Sequence, residues 1–280
     1  GLIVEKTQYG CPFLCWSYGL FFQEDILKRS GCSLPGSWEQ WEAYGTEVQR
    51  INNIQPFALA GADSEELAYQ LLEILQEQGV ILQRMHYETD CYGLELMERQ
   101  LKQNTLAVNS LSWNQADLTR TFAKGNLACM MNRSTQIPFL KSLNPSMEWS
   151  VVEPYCQAEG NHVLGIQSIA ITKEAGDGAY ELLEWLMEEE QVMRLARELN
   201  SIPVRTDVRK RIKEENTENY VSMDWGERMR FGGSYLSWGS ISKEIRSAFR
   251  RMLMGDMDAR ECFQEMKYNM DQYLYLLIYE

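Results

Sequence analysis

The stretch YGCPFLCWSYGLFFQ, residues 9–23, constrains the fold more than any other. Aromatic and β-forming residues interleaved with glycines read as one or two strands around a tight bend. The next segment is helical: EDILKRSG closes at Gly31, the position where a left-handed residue costs least. A chain that sets apolar strands next to amphipathic helices must layer helices on a sheet.

The same grammar recurs downstream. LPGSWEQWEAYGTEVQRI carries a capping box from Ser37 to Gln40 ahead of a helix that buries Trp41, Tyr44, Val48 and Ile51. Helical spacing returns over 64–78, 92–103 and 113–124, and strands are expected at 149–153 and 162–172. KGNLACMMNRSTQ (124–136) is a buried strand that delivers Asn132, Arg133, Ser134 and Thr135 to an edge or cleft. Residues 177–200 predict one long amphipathic helix with Leu182, Leu183, Leu186, Val192, Leu195 and Leu199 inside. A low-regularity stretch, 214–239, precedes closing helices at 240–254 and 258–277. The class is α/β, helix-rich, without internal repeats.

Charge removes several functions. A formal net charge of −13 argues against nucleic acid or an anionic membrane as the main partner. The densest basic run, RTDVRKRIK (205–213), reads as a solvated helix face. Apolar stretches fall short of the ~20 residues a membrane helix needs. The seven cysteines contain no CxxC pair, so free thiols are expected, with Cys129 and Cys262 in the core. Only His86 and His162 are present, so no metal site and no cofactor are expected.

Catalytic signatures are equally scarce: no GxSxG, P-loop, HExxH or post-strand GxGxxG occurs. Glu188, Glu189 and Glu190 point in different directions on a helix and read as a wet face. His162 reads as a surface histidine. The remaining candidates are aromatics beside small polar groups: Trp16-Ser17-Tyr18, Ser112-Trp113-Asn114, Asn132-Arg133-Ser134 and Tyr235-Leu236-Ser237-Trp238. Flat rings stack on the apolar faces of a polar guest while Asn, Arg and Ser bond its hydroxyls. The four clusters read either as the wall of a binding cleft or as core packing.

The order of these segments resembles the family 1 extracellular solute-binding proteins of ABC importers. The resemblance runs through YGLFFQEDILKRSGCSLPGSWEQWEAYGTEVQ (18–49), FAKGNLACMMNRS (122–134), GIQSIAITKEAGDGAYELLEWLMEEEQVMRLARELNSIPVRTDV (165–208) and GDMDARECFQEMKYNMDQYL (255–274). Gln23 stands where that family usually has Asn, and Asn132-Arg133-Ser134-Thr135 replaces its Gly-Ser-Trp.

The resemblance implies a type II periplasmic-binding-protein-like fold. It represents mainly the second lobe plus returning helices of the first, without the first lobe's founding strands. Residues 1–162 would belong mainly to the C-terminal lobe, 163–204 to the returning N-terminal lobe segment, and 205–280 to helices packing on the second lobe. It implies a sugar or similar small polar solute held in an interlobe cleft that closes by a hinge motion, with permease subunits as partners. An extracellular, lipoprotein or periplasmic location is implied for the full-length protein. Ligand contacts are expected first at Trp238, then at Tyr18, Trp113, Arg133 and Gln167, with Asn132, Trp16 and Tyr235 behind them. A sensory receptor domain of the same fold is the alternative, and an enzyme the remote one. The uncovered face of helix 177–200 would favour self-association.

Overall fold

The computed structural model describes residues 3–4, 7–155, 160–176, 178–215, 220–221, 223–231 and 238–279. A short hairpin, β1 (Ile3–Val4) and β2 (Thr7–Gln8), leads into β3 (Cys11–Trp16) and β4 (Tyr18–Gln23). The expected bend between the last two is no hairpin. The strands belong to different sheets, and Ser17 alone separates them.

One sheet has the order β5-β6-β4-β7, built from Gln55–Ala58 (β5), Leu127–Arg133 (β6), β4 and Trp149–Val152 (β7). β5 runs parallel to β6, and β4 runs antiparallel to both β6 and β7. Both faces of its centre are covered, so successive residues of LACMM are all buried instead of alternating. Leu20, Phe22, Cys129 and Met131 face one core cluster, while Phe21 and Met130 face another.

Helices α1 (Glu24–Ser30) and α2 (Trp38–Val48) follow β4 directly. Gly31 takes φ 71° as the left-handed cap, and Ser37 accepts from the Gln40 amide. The larger core is completed by α3 (Glu65–Gln76), a short α4 (Tyr87–Asp90) and α5 (Tyr92–Lys102). The opposite face is covered by α6 (Gln115–Ala123) and α7 (Ile137–Leu143).

The second sheet has the order β10-β8-β3-β9, from Met229–Phe231 (β10), His162–Ile169 (β8), β3 and Ile202–Pro203 (β9). Three departures from the sequence expectation lie here. The helix 177–200 is two helices, α8 (Gly178–Leu186) and α9 (Glu189–Leu199). Glu188 is extended (ψ 146°), and the freed Met187 carbonyl accepts from Arg205 Nη1 at 2.8 Å. Glu189 and Glu190 thereby become first-turn acids, where the helix dipole favours them, and both pair with Arg211.

The expected inner face is the second departure. Val192 is buried, but its partners are Met193 and Ala196, while Leu182 is 55% and Leu199 44% exposed. Third, the first helix after 205 stays with this sheet layer. Helix α10 (Thr206–Glu215) buries Val208 and Ile212 against Leu14, Val192 and Ala196 of this sheet layer. Only α11 (Trp238–Leu253) and α12 (Ala259–Tyr279) join the larger core. Cys11–Trp16 likewise pairs with the returning strand β8, antiparallel from Cys11↔Ile169 to Trp16↔Gly165.

Among the described residues the six cysteines Cys11, Cys15, Cys32, Cys91, Cys129 and Cys262 are free thiols. Cys129 and Cys262 are wholly buried. No helix among the described residues is long and apolar enough to cross a membrane.

Candidate functional site at the strand crossovers

The chain passes between the two sheets at Ser17 and again between β7 and β8, and after β9 Met223 and Trp225 lie against the first sheet's smaller core. Hydrogen bonds tie the Ser17 crossing to this later stretch. Ser17 Oγ donates to the Met223 carbonyl at 2.6 Å, and the Ser134 amide donates to the Ser17 carbonyl at 2.9 Å. Trp225 Nε1 donates to the Tyr18 carbonyl at 2.8 Å. Ser17 suits the junction because its hydroxyl can satisfy a passing carbonyl that no ladder reaches.

An aromatic group stands beside the first crossing. Trp16 meets Tyr18 edge-on at 5.4 Å between ring centroids and Tyr69 at 5.5 Å. Tyr69 in turn meets Trp238 at 5.2 Å. The Arg133 guanidinium lies 3.9 Å over the Trp16 ring and 6.0 Å from that of Tyr69, a cation–π arrangement. Arg133 Nε is buried and meets no hydrogen-bond partner among the described residues. Gly165 admits the indole from the neighbouring strand, since a Cβ there would lie 2.0 Å from the Trp16 ring. Burial pushes the Tyr18 hydroxyl up to about 12, with the nearby Arg133 charge opposing it.

Four residues expected from the sequence therefore converge: Trp16, Tyr18, Arg133 and Trp238. Tyr69 escapes sequence reasoning, because within LAYQLLEIL it reads as one more core position of α3. Asn132 turns to the other side of β6, where its amide donates to Thr119 Oγ1 at 3.0 Å inside the protein. Gln167 is exposed on β8 and shares by alternation the strand face of Gly165. Trp113 is half-buried against the smaller core of the first sheet, and no ring contact joins it to the aromatic group among the described residues. Tyr235 lies outside the described residues.

The second crossing holds a buried ionisable cluster. His162, the first residue of β8, is wholly buried rather than at the surface, as are Glu73 and Glu77. Its Nδ1 lies 2.8 Å from Glu73 Oε1, and its Nε2 lies 2.9 Å from Glu153 Oε1. The Val163 amide donates to Glu73 Oε2 at 2.6 Å. Desolvation pushes the Glu73 carboxyl upward, against the opposing pull of His162 and that amide. The surface position expected for His162 is thus corrected. Because 89 positions separate it from Glu73, spacing carries no signal of the pairing. A cavity of about 430 Å³ opens beside Glu153 and Arg228, walled by Trp38, Tyr92 and Tyr155.

Solved structures share this fold. The maltose-bound MalE3 of T. maritima superposes with a TM-score of 0.83 at 16% identity, covering 97% of this chain and 74% of that one. A solute-binding protein of an ABC transporter from Thermotoga lettingae, bound with α-D-tagatose, gives 0.84 at 18% identity over 97% and 74%. The GacH receptor of Streptomyces glaucescens, solved unliganded and with acarbose, gives 0.74 at 17% over 99% and 73%. No curated protein sequence matches the chain. The sequence model of the bacterial extracellular solute-binding proteins matches residues 2–223. With two sheets joined by bundled crossings and that match over most of its length, the chain belongs to the family of bacterial extracellular solute-binding proteins.

Proposed function

We propose that the chain captures a carbohydrate or similar small polar solute for an ABC importer, without catalysis. The solute would lie where the strands cross between the sheets. The observation that carries this reading is the convergence of Trp16, Tyr69 and Trp238 with Arg133 beside the Ser17 crossing. Aromatic rings offer apolar faces to a pyranose while a guanidinium donates to its hydroxyls. The likeness to proteins solved with maltose, tagatose and acarbose supports the same chemical class. Trp238 is the leading contact, with Tyr18, Trp113, Arg133 and Gln167 next, Trp16 shaping the wall behind and Asn132 bracing β6 from its far side. Permease subunits of the importer are the partners in this reading. Presentation at the cell surface, as a lipoprotein or in the periplasm, goes with it.

Bundled crossings suit such a role because a few backbone torsions there reorient one sheet layer against the other. Melting the protein with a panel of neutral mono- and oligosaccharides tests the reading. A solute present at ~100 times its dissociation constant stabilises by ~2.7 kcal/mol. Trp238→Ala is then expected to lose at least ~1 kcal/mol of affinity with little change in the unliganded melting temperature. A large loss of stability with affinity unchanged assigns Trp238 to the core instead.

A further inference from the structure

We propose that Glu73, Glu77 and His162 bind one divalent cation of the zinc type at the second strand crossing, with Glu153 positioning the histidine. This site is separate from the aromatic group and does not depend on the carbohydrate reading.

The donor set comes first. Glu73 and Glu77 are one turn apart, so α3 and its C-terminal cap place both carboxylates on one face. His162 meets them from the start of β8. The ligand atoms of all three lie within 4.8 Å of one another, and all three residues are fully buried. Two carboxylate oxygens and an imidazole nitrogen suit a borderline cation such as zinc, which bonds them at about 2.0–2.2 Å. Small side-chain rotations draw the donors in to that range.

Charge balance points the same way. Two carboxylates meet one imidazole in the trio, a charge pattern that a dication with a neutral imidazole matches. At the rim Glu153 is paired with Arg228, 3.4 Å away.

The histidine is already oriented for this role. With an ion bound, Glu153 would take the Nε2–H across 2.9 Å, and Nδ1 would exchange its 2.8 Å hydrogen bond to Glu73 Oε1 for a bond to the ion. A carboxylate behind a metal-bound imidazole fixes its tautomer in this way. A bound ion would pin α3, of the larger core, to the first residue of the returning strand.

Metal-stripped protein titrated with zinc chloride, and with cobalt(II) chloride as a spectroscopic probe, tests the site. The expected result is one ion per chain, a raised melting temperature, and a cobalt spectrum without a thiolate charge-transfer band. Glu153→Gln is expected to weaken binding about 10-fold, and Glu77→Gln and His162→Gln more. Melting each variant in chelator checks that it folds. Should the buried variants fail to fold, Glu153→Gln, at the half-exposed rim, decides the question. No binding at millimolar zinc overturns the proposal. So does binding unaffected in every folded variant, or a thiolate band that puts the ion on cysteine.

Discussion

The helices α3 and α8 have similar apolar content and opposite fates. In EELAYQLLEILQ, Leu67, Leu71, Leu72, Ile74 and Leu75 are all buried. In GAYELLEWL no residue is buried, and Tyr180, Leu182 and Trp185 are 64%, 55% and 42% exposed. The difference lies in what each finds to pack on. Helix α3 sits on a four-stranded sheet with α5 and α11 beside it and α12 completing the same core. The layer around α8 offers the small cluster of Leu14, Val192, Met193, Ala196, Val208 and Ile212, and α9 and α10 already occupy it. Apolar pattern states what a helix can bury; neighbouring surface states whether it does.

The contrast is broken most forcefully at Phe22, buried at the centre of β4 with its ring 5.6 Å from that of Tyr44. Phe22→Ala is expected to cost ~3–5 kcal/mol in denaturant unfolding, whereas Trp185→Ala on α8 should stay within ~0.5 kcal/mol. Equal losses at both positions would mean that α8 is covered in solution.

Next in size is Gly165→Ala. The added methyl must displace the Trp16 indole, an overpacking cost of ~1–3 kcal/mol, and Trp16 fluorescence should shift with it. An unperturbed spectrum at full stability would show that the indole does not lie on Gly165 in solution.

A smaller energetic effect sharpens the comparison from the other side. The exposed face of Tyr180, Leu182 and Trp185 is expected to drive self-association, since such patches seek cover. The double substitution Leu182→Ser and Trp185→Ser should lower the mass seen by light scattering while leaving the melting temperature nearly unchanged. A monomer before and after the change removes that role from α8.

The smallest effect belongs to the loop ahead of α10. Arg205 pairs with Asp207 at 2.6 Å and lowers its carboxyl from 3.8 to about 2. A depressed acid adds stability above its unfolded value and loses it as pH falls through the folded one. Wild type should therefore exceed Asp207→Asn slightly in melting temperature at pH 5, with the gap closing between pH 4 and pH 2. A gap that persists at pH 2 would assign the effect to packing.

Much of the fold was legible because local rules agree with it. Gly31 ends α1, Ser37 caps α2, and the Leu127–Met131 run is a two-sided buried strand, each for reasons contained in a few neighbouring residues. The resemblance carried by ordered motifs extended this to the family and its fold. The break at Glu188 was not legible, because it depends on Arg205 reaching the Met187 carbonyl from beyond the helix. Half of the candidate site was readable as aromatics beside small polar residues. Tyr69 was not, since a tyrosine on a buried helix face carries no mark of which ring it will meet.

The sequence by itself determined the α/β class, the Leu127–Met131 strand core, the helix ends at Gly31 and Ser37 and the net negative charge, because periodicity, capping and charge act over short distances or by simple sum. Only the tertiary structure decided that Cys11–Trp16 and Tyr18–Gln23 part into separate sheets at Ser17. It alone brought Arg133 over Trp16 and buried His162 between Glu73 and Glu153. Those meetings join residues far apart in the chain. They are set by how whole layers stack, a free energy spread over many contacts that no local pattern encodes.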